Sequence, residues 1–139
     1  MAAHTKRLES EVHNNLAPAL QNALDEHDLI HERIRDLQEL RDSLNLIRDE
    51  KLESIVAKVN LADEFYVDAH VTDTSRLYVD VGLGFNVEMT LDEALSFCDT
   101  RESKLTFTAR ALADEAAELK AKIKLIVGAI DELLVEGSE

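Results

Sequence analysis

At 139 residues the chain fits one domain, and Leu, Ile, Val and Phe supply 42 of them, about 30%, enough to bury a core. Acidic residues outnumber basic ones 29 to 15, a formal charge of −14 that repels phosphate and argues against direct nucleic-acid or anionic-membrane binding. A lone cysteine, Cys98, excludes an internal disulfide or a cysteine metal site and is expected as a small buried hydrophobe. No apolar run reaches the roughly 18 residues of a membrane span, and Lys6-Arg7 precede no signal-like apolar stretch, so the expected compartments are cytoplasm and nucleus.

The first predicted element is a helix over 5–53. Leu16, Leu20, Ala23, His27, Ile30, Ile34, Leu37, Arg41 and Leu44 alternate spacings of four and three, which keeps one stripe facing a partner. Pro18 is its irregularity and predicts a kink or two pieces meeting near Ala17.

Residues 54–90 change character. They hold seven of the ten valines and both tyrosines. Apolar residues recur at every second position: Ile55 to Leu61, Phe65 to Val71, Leu77 to Leu83 and Phe85 to Met89. Breaks at 62–64, 72–75 and Gly84 divide them into four strands, hence two hairpins with one apolar face each.

The last predicted element is a helix over 91–135. Thr90 and Glu93 have capping-box spacing, and Asp92 suits the positive helix end. Asp99 and Glu102 repeat that spacing and leave open a break there. Leu105, Ala109, Leu112, Ala116, Leu119, Ile123, Ile126, Ile130 and Leu133 then form an unbroken heptad seam.

Two helices of matched length, about 70 Å each, are expected to fold back as a long antiparallel coiled coil around the hairpins. The predicted fold is therefore α+β, one domain over 1–139, assembling with other chains through open strand edges. Val67, Val79, Val81, Phe85 and Val87 are the candidate assembly residues. Leu112, Leu119, Ile123, Ile126 and Ile130 are the strongest seam positions. At the far ends of the helices, Leu125, Val127, Leu134 and Val135 lie off the seam, with Leu8 and Val12 opposite. They are either a thicker coiled-coil end or an apolar tip for clients.

The stretch Asp73-Thr-Ser-Arg-Leu-Tyr-Val-Asp-Val-Gly-Leu-Gly-Phe-Asn-Val-Glu-Met-Thr-Leu-Asp-Glu-Ala-Leu95 resembles the α-class prefoldin subunits, and Asp73–Arg76 resembles a prefoldin-like branch of that class. The resemblance implies a non-catalytic co-chaperone subunit in a hetero-oligomer with β-class prefoldin subunits and a second, unconventional α-class subunit. Its clients would be unfolded or assembling proteins such as RNA polymerase, with a further tie to transcription regulation. A conventional α subunit delivering actin or tubulin to a chaperonin, or a scaffold docking transcription factors, are the alternatives it leaves.

Other motifs carry less. Gly82-Leu-Gly-Phe85 matches a PDZ carboxylate loop but lacks the surrounding barrel, so its glycines are assigned to a tight turn. His27 and His31 stand one helical turn apart beside Glu26 and Glu32, a spacing compatible with one metal. No third ligand follows and His27 falls on the seam, so neither a metal nor a cofactor is expected. No ordered catalytic set is present, and no enzyme is expected.

Overall fold

The computed structural model describes residues 2–51, 55–62 and 65–138, with side chains between 55 and 71 described at Val56, Tyr66, Asp68, Ala69 and His70. The elements run α1 (Ala2–Glu11), a π turn (Val12–Leu16), α2 (Ala17–Asp49), β1 (Ile55–Ala62), β2 (Phe65–Val71), β3 (Arg76–Gly82), β4 (Phe85–Thr90) and α3 (Leu91–Gly137). Two compact units emerge: residues 1–34 with 104–139, and residues 35–103.

The first unit is helical. Leu105, Leu112, Leu119, Ile123, Ile126 and Leu133 are half-buried, while Ala109, Ala116 and Ile130 are buried. On the first helical segment Ala23 and Ile34 are buried, with Leu16, Leu20, His27 and Ile30 half-buried beside them. The stripe extends further toward the N-terminus than its heptad spacing shows, through Val12, Leu8 and buried Thr5. From Thr5 to Ala23 the inward positions step by three, four, four, four and three, so the regular alternation carries one surplus residue.

The π turn takes it up. The Ala17 N–H donates to the Val12 carbonyl, five residues back, so the turn is wider than an α turn. Pro18 lies directly after it, where an ordinary α turn would press the pyrrolidine ring against the carbonyl four residues earlier. The proline thus stands in continuous helical backbone, with the irregularity displaced into Val12–Leu16.

In the second unit α2 and α3 run antiparallel, since Arg41 meets Asp99 and Glu102 while Arg48 lies 3.9 Å from Asp92. The sequence extends the first helix to 53, but α2 stops at Asp49. Lys51 takes φ +49° and its N–H donates to the Arg48 carbonyl, closing the helix without the glycine that usually marks such an end. At the start of α3 the Thr90 hydroxyl oxygen accepts from the Glu93 N–H at 3.2 Å, and Asp92 and Glu93 occupy the first turn. The helix then runs unbroken past Asp99.

Strands β1 and β2 form one antiparallel pair and β3 and β4 another. In the second pair Leu77 faces Met89, Val79 faces Val87 and Gly82 faces Phe85, with Val81 as the surplus residue of a bulge. Asp80 Oδ1 accepts from the Gly82 N–H at 2.9 Å. Gly82, Leu83 and Gly84 all have positive φ (109°, 55° and 78°), which is the tight turn that the two glycines allow. Leu44, Val79, Ala94, Leu95 and Cys98 make the core of this unit, with Leu37, Leu40, Leu77, Met89, Leu91 and Phe97 packed around it.

Candidate functional site

The β3–β4 hairpin presents one apolar face along its length, and that face divides in two. Near the strand ends that join the core, Val79 is buried and Leu77 and Met89 are half-buried. Toward the turn, Val87 is 43% exposed, Phe85 67% and Leu83 97%. Val81, in the bulge, is half-buried. Among the described residues nothing covers this end. Among the described residues each strand pairs with one neighbour, so the outer edge of each hairpin strand also presents N–H and C=O groups that no strand pairs. A bare aromatic and two aliphatic residues beside open edges form a surface that another chain can extend.

Of the candidate assembly residues, Phe85 and Val87 stand on this bare end together. Val79 packs in the chain's own core, so a charge there tests folding before it tests assembly. The side chain of Val67 lies outside the described residues. On the opposite face Arg76 and Glu88 pair at 3.4 Å, and Tyr78 is exposed.

At the ends of the helices in the first unit, Leu125, Val127, Leu134 and Val135 are all exposed, whereas Leu8 and Val12 are half-buried on the stripe. The four exposed residues do not form one patch. Val127 and Leu134, seven residues apart, share a flank of α3, while Leu125 stands roughly 160° around the helix from Val127. Leu134 joins Leu133, Gly137, Thr5, Lys6 and Glu9 around an open groove of about 490 Å³. A smaller recess of about 170 Å³ lies in the second unit, where Asp73, Thr74 and Arg76 approach Leu44, Ile47 and Leu91.

Two features of the structure carry little sequence signal. Arg41, on the stripe of α2, donates to both Asp99 and Glu102, and Gln38 donates to Glu102 at 3.1 Å, a part-buried polar network between α2 and α3. A charged residue at a seam position was its only advance signal. Phe107, 77% exposed on α3, stands off the seam between Leu105 and Ala109. That offset was readable, but exposure of an aromatic was not.

Burial pushes the Cys98 thiol up from its ordinary value. The Ser75 hydroxyl and N–H, both donating to Asp73, hold that exposed carboxyl below its ordinary range. Among the described residues no group of three or more His, Cys, Asp or Glu could hold a metal, and no helix is long and apolar enough to cross a membrane.

Two helices flanking two hairpins, with a core where α2, α3 and the β3–β4 hairpin meet, define the prefoldin subunit fold, and the chain belongs to the prefoldin subunit family, which it matches over residues 16–136. It is similar to Protein UXT of Homo sapiens, 34% identical over 127 residues that cover 91% of this chain and 81% of that one. The UXT homolog of Dictyostelium discoideum is 33% identical over 128 residues, covering 92% and 80%. Prefoldin subunit alpha of Methanocorpusculum labreanum is 26% identical over 142 residues, covering 96% and 95%. Among solved structures, filamentous prefoldin from Methanocaldococcus jannaschii superposes with a TM-score of 0.68 at 21% identity, over 86% of this chain and 98% of that one, a likeness of fold.

Proposed function

We propose that this chain is a non-catalytic subunit of a hetero-oligomeric, prefoldin-like co-chaperone. It joins β-class subunits and a second α-class subunit through its strands, and it assists the folding and assembly of protein complexes, RNA polymerase among them, in cytoplasm and nucleus. The observation that carries the reading is the divided face of β3–β4. The face begins in the chain's own core at Val79 and continues uncovered through Val87 and Phe85 beside free strand edges. Similarity to UXT proteins favours the prefoldin-like branch over delivery of actin or tubulin. The exposed flank of Val127 and Leu134 is the client surface in this reading, with a tie to transcription following from the clients served.

The test is co-expression with candidate β-class and α-class subunits, followed by light scattering and mass spectrometry of the co-purifying chains. Phe85→Asp with Val87→Asp alters only exposed positions, so it leaves the helices formed and removes co-assembly. Normal assembly of that variant overturns the strand route. Val127→Ser with Leu134→Ser assembles but holds an unfolded client more weakly. Retention of actin or tubulin with all conventional subunits would reassign the chain to the delivery role.

A further inference from the structure

His27 and His31 belong to neither surface described above. They sit four residues apart on α2, where side chains one turn apart meet. His27 lies on the stripe and is half-buried, and His31 is exposed to solvent. Their ring centroids are 4.4 Å apart, the planes inclined by 60°, and the two Nε2 atoms approach to 3.1 Å. Without a metal this approach is one hydrogen bond, which requires the rings to take opposite tautomers.

The same geometry fits a chelate. With metal–nitrogen bonds of about 2.0–2.1 Å, nitrogens at this separation subtend roughly 95–102° at the metal, between the octahedral and tetrahedral angles. Both nitrogens occupy the same ring position, and the distal Nδ1 of His27 lies 3.8 Å from Asp28 Oδ1, beyond hydrogen-bond reach but close enough to add negative charge beside the pair. Glu26 and Glu32 flank the pair in sequence and add to a field that draws cations.

We propose that His27 and His31 form a two-imidazole seat for a borderline divalent transition-metal ion, Zn²⁺ or its neighbours Ni²⁺ and Cu²⁺, with water completing the coordination. Imidazole selects these ions over Mg²⁺ and Ca²⁺, which prefer oxygen. The bound ion ties successive turns of α2 together at a point where one ligand is already held in the stripe.

Isothermal titration of the full chain with ZnCl₂ tests this. One equivalent is expected to bind, with Ni²⁺ tighter than Mn²⁺ and no competition from excess Mg²⁺. His31→Asn alters an exposed side chain and leaves folding intact. It weakens Zn²⁺ binding by at least the roughly 10–100-fold that follows loss even of a residue behind a ligand. Asp28→Asn with Glu32→Gln keeps the site and costs less than His31→Asn. Equal affinity of His31→Asn and the parent, displacement by Mg²⁺, or a larger loss in the carboxylate variant than in His31→Asn would each overturn the proposal.

Discussion

The two units bury their residues differently. In the first unit a narrow stripe on helices buries Ala23, Ala109 and Ala116 to 4–5% exposure and Ile34 and Ile130 to 8–9%, while Leu112, Leu119 and Ile123 keep a wet edge. In the second unit β3 lies over the helices and the enclosure goes further at its centre, where Leu44, Val79 and Leu95 are buried and Ala94 and Cys98 reach 0%. Two helices make a seam, and a third element turns a seam into a core. The difference governs where a single substitution is costly.

Substituting a buried position in each unit separates them most clearly. Val79→Asp strands a carboxylate in the enclosed core and is expected to cost about 3–5 kcal/mol, unfolding the second unit. Ile123→Asp can turn its carboxylate partly to water and should cost less, about 2–3 kcal/mol. Lys122→Asp, one position off the seam, should stay within about 0.5 kcal/mol. Urea unfolding that ranks Lys122 with Ile123, or Ile123 above Val79, would break the distinction.

The polar network beside that core gives a smaller effect. Arg41→Met leaves the carboxylate of Glu102, 21% exposed, without its guanidinium and should cost about 1–3 kcal/mol. The double change Arg41→Met with Glu102→Leu should recover most of it, because removing both partners of a desolvated pair is often neutral. A double-mutant cycle measures the recovery.

Cys98 reports on opening of the second unit alone. Its thiol is enclosed and pushed up by burial, so iodoacetamide at neutral pH should label it slowly. Leu44→Ala should speed labelling, and Ile130→Ala, in the first unit, should not.

The smallest effect belongs to Asp73, whose two bonds from Ser75 lower its carboxyl in the folded chain. A lowered folded value contributes stability above the unfolded value and loses it as pH falls through the folded one. Asp73→Asn should therefore be slightly less stable than the parent at neutral pH, and the two should converge in acid below the ordinary 3.8.

Much of this fold was readable because its signals are local. Alternation by four and three marks α3 over its whole seam, alternation by two marks each strand, Gly82 and Gly84 mark the turn, and Thr90 marks the cap. What sequence did not carry depends on distance or geometry. The end of α2 at Asp49 is set by the conformation of Lys51, where no glycine or proline warns of it. Arg41 is an anomaly on a stripe until Glu102, 61 residues away, explains it. The candidate site was half legible: the apolar strand face was plain, but which end of it the chain covers itself is decided by α2 and α3. Likewise the four off-seam residues of α3 read as one tip, and helix rotation separates them.

The π turn at Val12–Leu16 has a consequence for how the N-terminal segment tolerates insertion and deletion. Each helical residue turns the chain through about 100°, so a surplus residue would throw the positions before it out of phase, and the wider turn is the correction that absorbs it. Deleting Asn14 would remove the surplus residue together with the π turn, returning the spacings from Thr5 to Ala23 to a regular three–four alternation and leaving Thr5, Leu8 and Val12 on the stripe. The same deletion would set the ring of Pro18 against a carbonyl that the wider turn now spares. The cost of shortening the chain here therefore falls on Pro18 and not on the seam, and Asn14 and Asn15 are themselves exposed, their side-chain amides bonding to Ser10 and Glu11.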